Sequence, residues 1–232
     1  MLDRILPRNT LLERVDELGR SRRIVGPVRR DDRYFYQSVD RAAALDLRFN
    51  YCVYGPKAVL FPPHDTLFTF EKERGRFVTR AVYDDRPTAL VGVHPCDVHA
   101  ILLLDHVFAN GHRDEHYLRR RANTFILGID CPKPCTEGVF CRDMRANDAA
   151  EGFDLMCYPL SCEGAVDPPA AGYGVIFGTD AGRELVLSAQ AGAAPATTDE
   201  EAFDRYLAGK RQAFPPMIPY EVDTLPGLLN RS

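Results

Sequence analysis

Two short runs constrain this chain more than anything else in it. Thr88-Ala-Leu-Val-Gly-Val93 and Phe125-Ile-Leu-Gly-Ile129 are almost continuously apolar, without the alternation of a strand that has one wet face, so each reads as a strand covered on both sides. Between them, Asp97 to Phe108 carries Val98, Ile101, Leu102, Leu103, Leu104, Val107 and Phe108, which leaves little of a helix's circumference for solvent. Strand, buried helix, strand is a βαβ unit. The fold class is therefore α/β, with mixed α+β character contributed by the segments on either side.

Upstream, Thr10 to Arg22 predicts a helix with Leu11, Leu12, Val15 and Leu18 on one stripe. From Ile24 to Val82 the texture changes to short β-prone runs broken by Gly and Pro: Ile24-Val25, Tyr34 to Tyr36, Tyr51 to Tyr54, Ala58 to Phe61, Leu67 to Phe70 and Arg76 to Val82. Several show period-2 alternation, which predicts antiparallel strands with one solvated face. Downstream, strands are expected at Phe153 to Cys157 and Tyr173 to Phe177, and helices at Asp180 to Ala189 and Thr198 to Phe214. The pattern describes one compact domain over 1–232, divisible into a β-rich lobe (1–86) and an α/β lobe with a cysteine-rich loop (87–213). Pro215, Pro216, Pro219 and Pro226 then make 214–232 an extended arm, lying on its own domain or reaching a partner.

Composition narrows the function. Lys+Arg 29 against Asp+Glu 33 gives a net charge of −4, so no basic excess draws the chain to nucleic acid. No run approaches the ~20 apolar residues of a membrane span, and Met1-Leu-Asp-Arg-Ile-Leu-Pro-Arg lacks the apolar core of a secretion signal. A cytoplasmic location is expected. Seven cysteines in a reducing compartment point to metal or redox chemistry rather than to a disulfide framework.

Cys96, in Val93-His94-Pro95-Cys96-Asp97, follows one buried strand and opens the helix, where the helix dipole and free N–H groups favour a thiolate. The second strand delivers Asp130-Cys131-Pro-Lys-Pro-Cys135, and Cys141 follows. Ligand crevices of open α/β sheets form beyond the carboxyl ends of strands, so neighbouring strands would bring Cys96, Cys131, Cys135 and Cys141 together. Four such thiols suit either tetrahedral Zn²⁺ or a [4Fe–4S] cluster. The x3 and x5 spacings depart from a zinc knuckle, and the Pro132, Pro134 and Gly138 turns suit a loop wrapped around something larger than one ion, which favours iron–sulfur. Lys133 and Arg142 either offset the cluster's charge or are solvated. Cys157, Cys162 and His94 are lower-ranked substitutes for one ligand, and Cys52 reads as packing. A Cys–His nucleophile or mixed zinc site can also be drawn from Cys96 with His94 and His99. No Gly-x-Gly-x-x-Gly or phosphate-binding loop occurs.

Gly92-Val-His-Pro-Cys-Asp-Val-His-Ala-Ile101, Leu104-Asp-His-Val-Phe108, Tyr117 to Asn123, the Cys131 loop and Lys57-Ala-Val-Leu-Phe-Pro-Pro63 with Leu67 to Phe70 resemble a family. It comprises the iron–sulfur β subunits of sulfhydrogenase-type NiFe hydrogenases and the A subunits of anaerobic sulfite reductases. The resemblance runs from about Lys57 to the Pro-rich arm. It implies an electron-transfer subunit, not catalytic by itself, of a cytosolic multi-subunit oxidoreductase, with partners bearing iron–sulfur, flavin or NiFe centres and Cys96, Cys131, Cys135 and Cys141 as ligands of one [4Fe–4S] cluster. Relatives usually carry Arg at the position of His94, many carry Cys-Phe-Cys where this chain has Val139-Phe140-Cys141, and their two-cluster ferredoxin domain is expected to be missing here. The alternative is a structural subunit with zinc or nothing in the cysteine pocket; a stand-alone Cys–His enzyme ranks below both.

Overall fold

The computed structural model describes residues 1–160 and 172–218. In chain order its elements are β1 (Arg4–Leu6), α1 (Arg8–Leu18), β2 (Arg23–Arg30), β3 (Arg33–Val39), α2 (Lys57–Leu60), β4 (Phe68–Glu73), β5 (Arg76–Ala81), β6 (Thr88–Val93), α3 (Pro95–Ala109), α4 (Glu115–Ala122), β7 (Thr124–Ile129), β8 (Leu155–Leu160), β9 (Gly172–Phe177), α5 (Asp180–Leu187) and α6 (Thr197–Ala213). Seven strands form one mixed sheet in the order β1-β9-β8-β7-β6-β2-β3. Its centre, β2-β6-β7-β8, is parallel, and the strands outside it pair antiparallel. This is the expected α/β class with α+β character. Because β2 bonds β6, a single sheet runs across residue 86.

The two apolar runs are central strands because helices cover both faces. On one face Leu11, Val15 and Leu18 of α1 and Leu185 and Val186 of α5 pack on Ala89, Val91, Phe125 and Leu127. On the other, Val98 and Ile101 of α3, Tyr117 of α4 and Phe203 of α6 pack on Leu90, Ile126 and Met156. Each fully buried Leu or Ile contributes about 1.5–3 kcal/mol relative to exposure. Near the end of β6 the register slips between Val91 and Val93. Gly92 sits there at φ +79, and a Cβ on it would come within 3.0 Å of Pro27 Cδ, so a side chain is excluded by conformation and by space.

Several expectations are corrected. Ala58 to Phe61 is not a strand: Pro56 precedes the short helix α2, which buries Leu60. Tyr51 to Tyr54 makes only an isolated bridge, Cys52 to Tyr34. Helix α3 is not buried all round, since Leu103 and Val107 are 66% and 54% exposed. Helix α1 begins after Pro7 rather than at Thr10. β4 and β5 pair as expected, but neither packs appreciably on another described helix or strand, so both faces of this ribbon are exposed. Register puts Phe68, Phe70 and Phe77 on one side of it, with the Phe70 and Phe77 rings edge to face. Among the described residues no helix is long and apolar enough to cross a membrane.

Candidate metal centre

β6 and β7 run parallel with Val93 opposite Gly128. Cys96 and Cys131 therefore leave adjacent strands at the same offset, three residues past that pair. Cys96 lies in the first turn of α3, where Pro95 supplies a preset φ and the Asp97 and Val98 N–H groups both bond the His94 carbonyl. On the other strand the Asp130 N–H donates to the Cys157 carbonyl at 2.9 Å, carrying the β7–β8 ladder to the residue before Cys131. The loop beyond is turned by Gly138 at φ +79, and a tight turn at Cys141 is closed by Ala146 N–H to the Cys141 carbonyl, 2.8 Å.

The thiols lie within electrostatic reach of one another. Burial, then the Asp97 carboxylate, then Cys141 and Cys135 push Cys96 up to about 12. Burial, Asp130, Cys96 and Cys135 push Cys131 up, against the pull of Lys210. Cys141 is raised by burial and by Cys135. Cys96 is exposed, and the pull of the helix terminus on its thiol is opposed by partial desolvation and the adjacent Asp97 carboxylate. Among the described residues no three His, Cys, Asp or Glu side chains form a ready-made ion site. Any group held here must span the gap between the four sulfurs or draw them in.

Two of the three substitutes are packed in the interior. His94 is buried with its ring flat on Phe49, centroids 4.2 Å apart, and burial pushes it down to about 4. Cys157 is fully buried in the apolar core. Cys162 falls outside the described residues. The His99 Nε2 lies 2.7 Å from the Asp148 carbonyl, so a hydrogen bond already engages that imidazole. Arg142 donates to the Phe214 carbonyl at 2.9 Å, whereas Lys133 is exposed.

Two features escaped the sequence reading. Cys52 is no strand residue in a packed layer: burial and the nearby Asp97 push it up to about 12, and the buried Tyr36 hydroxyl is influenced by Asp97, Cys52, Cys96 and Cys131 together. The second is a buried ion pair at the base of the loop. Lys210 Nζ donates to Asp130 at 2.6 and 2.7 Å and to Asp148 at 2.7 Å, while the Tyr206 hydroxyl donates to Asp130 at 2.7 Å. An acid directly before Cys131, at the end of a buried strand, was the available signal.

No family model matches the chain. It is 35% identical over 147 residues to the sulfhydrogenase 2 subunit beta of Pyrococcus furiosus, a match covering 63% of this chain and 41% of that protein. The chain thus spans about two-fifths of the length of this curated relative.

Proposed function

We propose that this chain is a redox subunit of a multi-subunit oxidoreductase, relaying electrons through one [4Fe–4S] cluster held by Cys96, Cys131, Cys135 and Cys141. The observation that carries the reading is the matched exit of Cys96 and Cys131 from adjacent parallel strands, with Cys135 and Cys141 in the loop that follows. An all-sulfur donor set fits an iron–sulfur cluster, whose thiolates stand further apart than those around a single ion. The similarity to a hydrogenase β subunit supports the same class of protein and partner subunits that bring further redox centres.

The group, when bound, supplies one-electron chemistry. The chain contributes four sulfur ligands and the Asp97, Asp130 and Lys210 charges that bias the potential. Anaerobically prepared protein is expected to contain about four irons and four sulfides per chain and to give a reducible paramagnetic signal. Colourless protein holding only zinc overturns the relay and leaves a structural subunit.

A further inference from the structure

We propose that Lys210 is the latch of the cysteine loop, a positioning residue that closes the loop at its base and sets the charge beside Cys131. The charge half of this rests on the iron–sulfur reading above; the latch half does not.

Asp130 immediately precedes Cys131, and Asp148 lies beyond Cys141. One ammonium bonds both carboxylates, at 2.6 and 2.7 Å to Asp130 and 2.7 Å to Asp148. Residues 131–147, carrying three of the four thiols, thus form a loop whose two ends meet on a single side chain of α6. The Lys210 and Asp130 side chains are each 2% exposed, while that of Asp148 is 67% exposed. Further bonds join the same bodies. Tyr206, one turn earlier on α6, donates to Asp130, and Arg142 in mid-loop donates to the Phe214 carbonyl where α6 ends. His99 of α3 meets the Asp148 carbonyl, tying the base of the loop to the helix that begins at Cys96.

Removing the ammonium takes away the one group bonded to both carboxylates, so the ends of the loop are untied and Cys135 and Cys141 wander. It also removes the positive charge that Lys210 holds beside Cys131. The reduced, more negative form of a bound cluster is then disfavoured and its potential falls; neutralising Asp148 has the opposite effect on charge.

The test compares Lys210→Met, Lys210→Arg and Asp148→Asn in the full chain. Amide hydrogen exchange over residues 131–150, readable with or without a cofactor, is expected to quicken roughly tenfold or more in K210M and D148N and to stay near wild type in K210R. Midpoint potentials are expected to fall in K210M, rise in D148N and hold in K210R, a pattern that loss of structure alone does not produce. If K210M fails to fold, D148N, altered at an exposed side chain, decides the latch. Exchange unchanged in D148N overturns the latch. Faster exchange with potentials that do not move in opposite directions overturns the charge role. Wild type without a reducible cluster overturns the proposed function and, with it, the charge role, while the exchange result still decides the latch.

Discussion

The Tyr36 hydroxyl donates a 2.7 Å hydrogen bond to the carbonyl of Gly92, the residue at which β6 bulges before it reaches Cys96. A side chain of the edge strand β3 thereby holds the backbone that aims one of the four sulfurs. Tyr36→Phe removes the donor and leaves a buried carbonyl unpaired, so a loss of about 1–3 kcal/mol is expected in urea unfolding. A midpoint equal to wild type would show that water or another donor takes over the carbonyl.

Gly92→Ala forces a side chain into the left-handed region and towards Pro27. The conformational cost alone is about 1–2 kcal/mol. Thermal unfolding is expected at lower temperature, with metal content per folded chain reduced because Cys96 is displaced.

Serine substitutions sort the thiols. Cys96→Ser, Cys131→Ser, Cys135→Ser and Cys141→Ser are each expected to lose most of the bound iron. Cys52→Ser and Cys157→Ser are expected to keep it, the latter at a stability cost of about 1–3 kcal/mol because a hydroxyl enters an apolar core. Iron analysis of the six folded variants reads the ligand set directly, and loss in Cys52→Ser would move Cys52 into it.

Asp84 reports on acid stability away from the site. Two 2.7 Å hydrogen bonds from Arg86 hold its carboxyl at about 2, below the usual carboxylate range. The stabilisation is complete above an unfolded-state pKa near 4 and disappears as the pH falls from there to about 2. The pair is partly solvated, so its contribution is below about 1 kcal/mol. Asp84→Asn should flatten the pH dependence of stability in that window, lowering stability at pH 7 by less than about 1 kcal/mol and leaving it near wild type at pH 2; an identical slope between pH 4 and 2 would remove Asp84 from the acid response.

What the sequence disclosed follows from how local each cause is. β6 and β7 were legible almost to the residue because burial on both faces writes an unbroken apolar run. Cys96 and Cys131 were legible as neighbours because a βαβ unit brings two strand ends side by side. Helix α4 left little trace: it buries Tyr117 and Arg120, shows a run of arginines, and owes its start to an Asp114 side chain accepting the Tyr117 N–H. Ala58-Val-Leu-Phe61 is short enough to serve as strand or helix, and the preceding Pro56 settles which. The Asp130–Lys210 pair left only half a signature, an acid at the end of a buried strand, since its partner is eighty residues away in the chain and meets it only when α6 docks on the sheet. The exposed side of α3 was hidden for a related reason: apolar content predicts what would benefit from cover, not what the fold covers.

The bare aromatic ribbon β4–β5 has a practical outcome. Phenylalanines displayed on a projecting arm adhere to whatever they meet, so concentrated samples of the lone chain will tend to clump. Shielding that arm, rather than reinforcing the sheet, is the direct route to a well-behaved preparation.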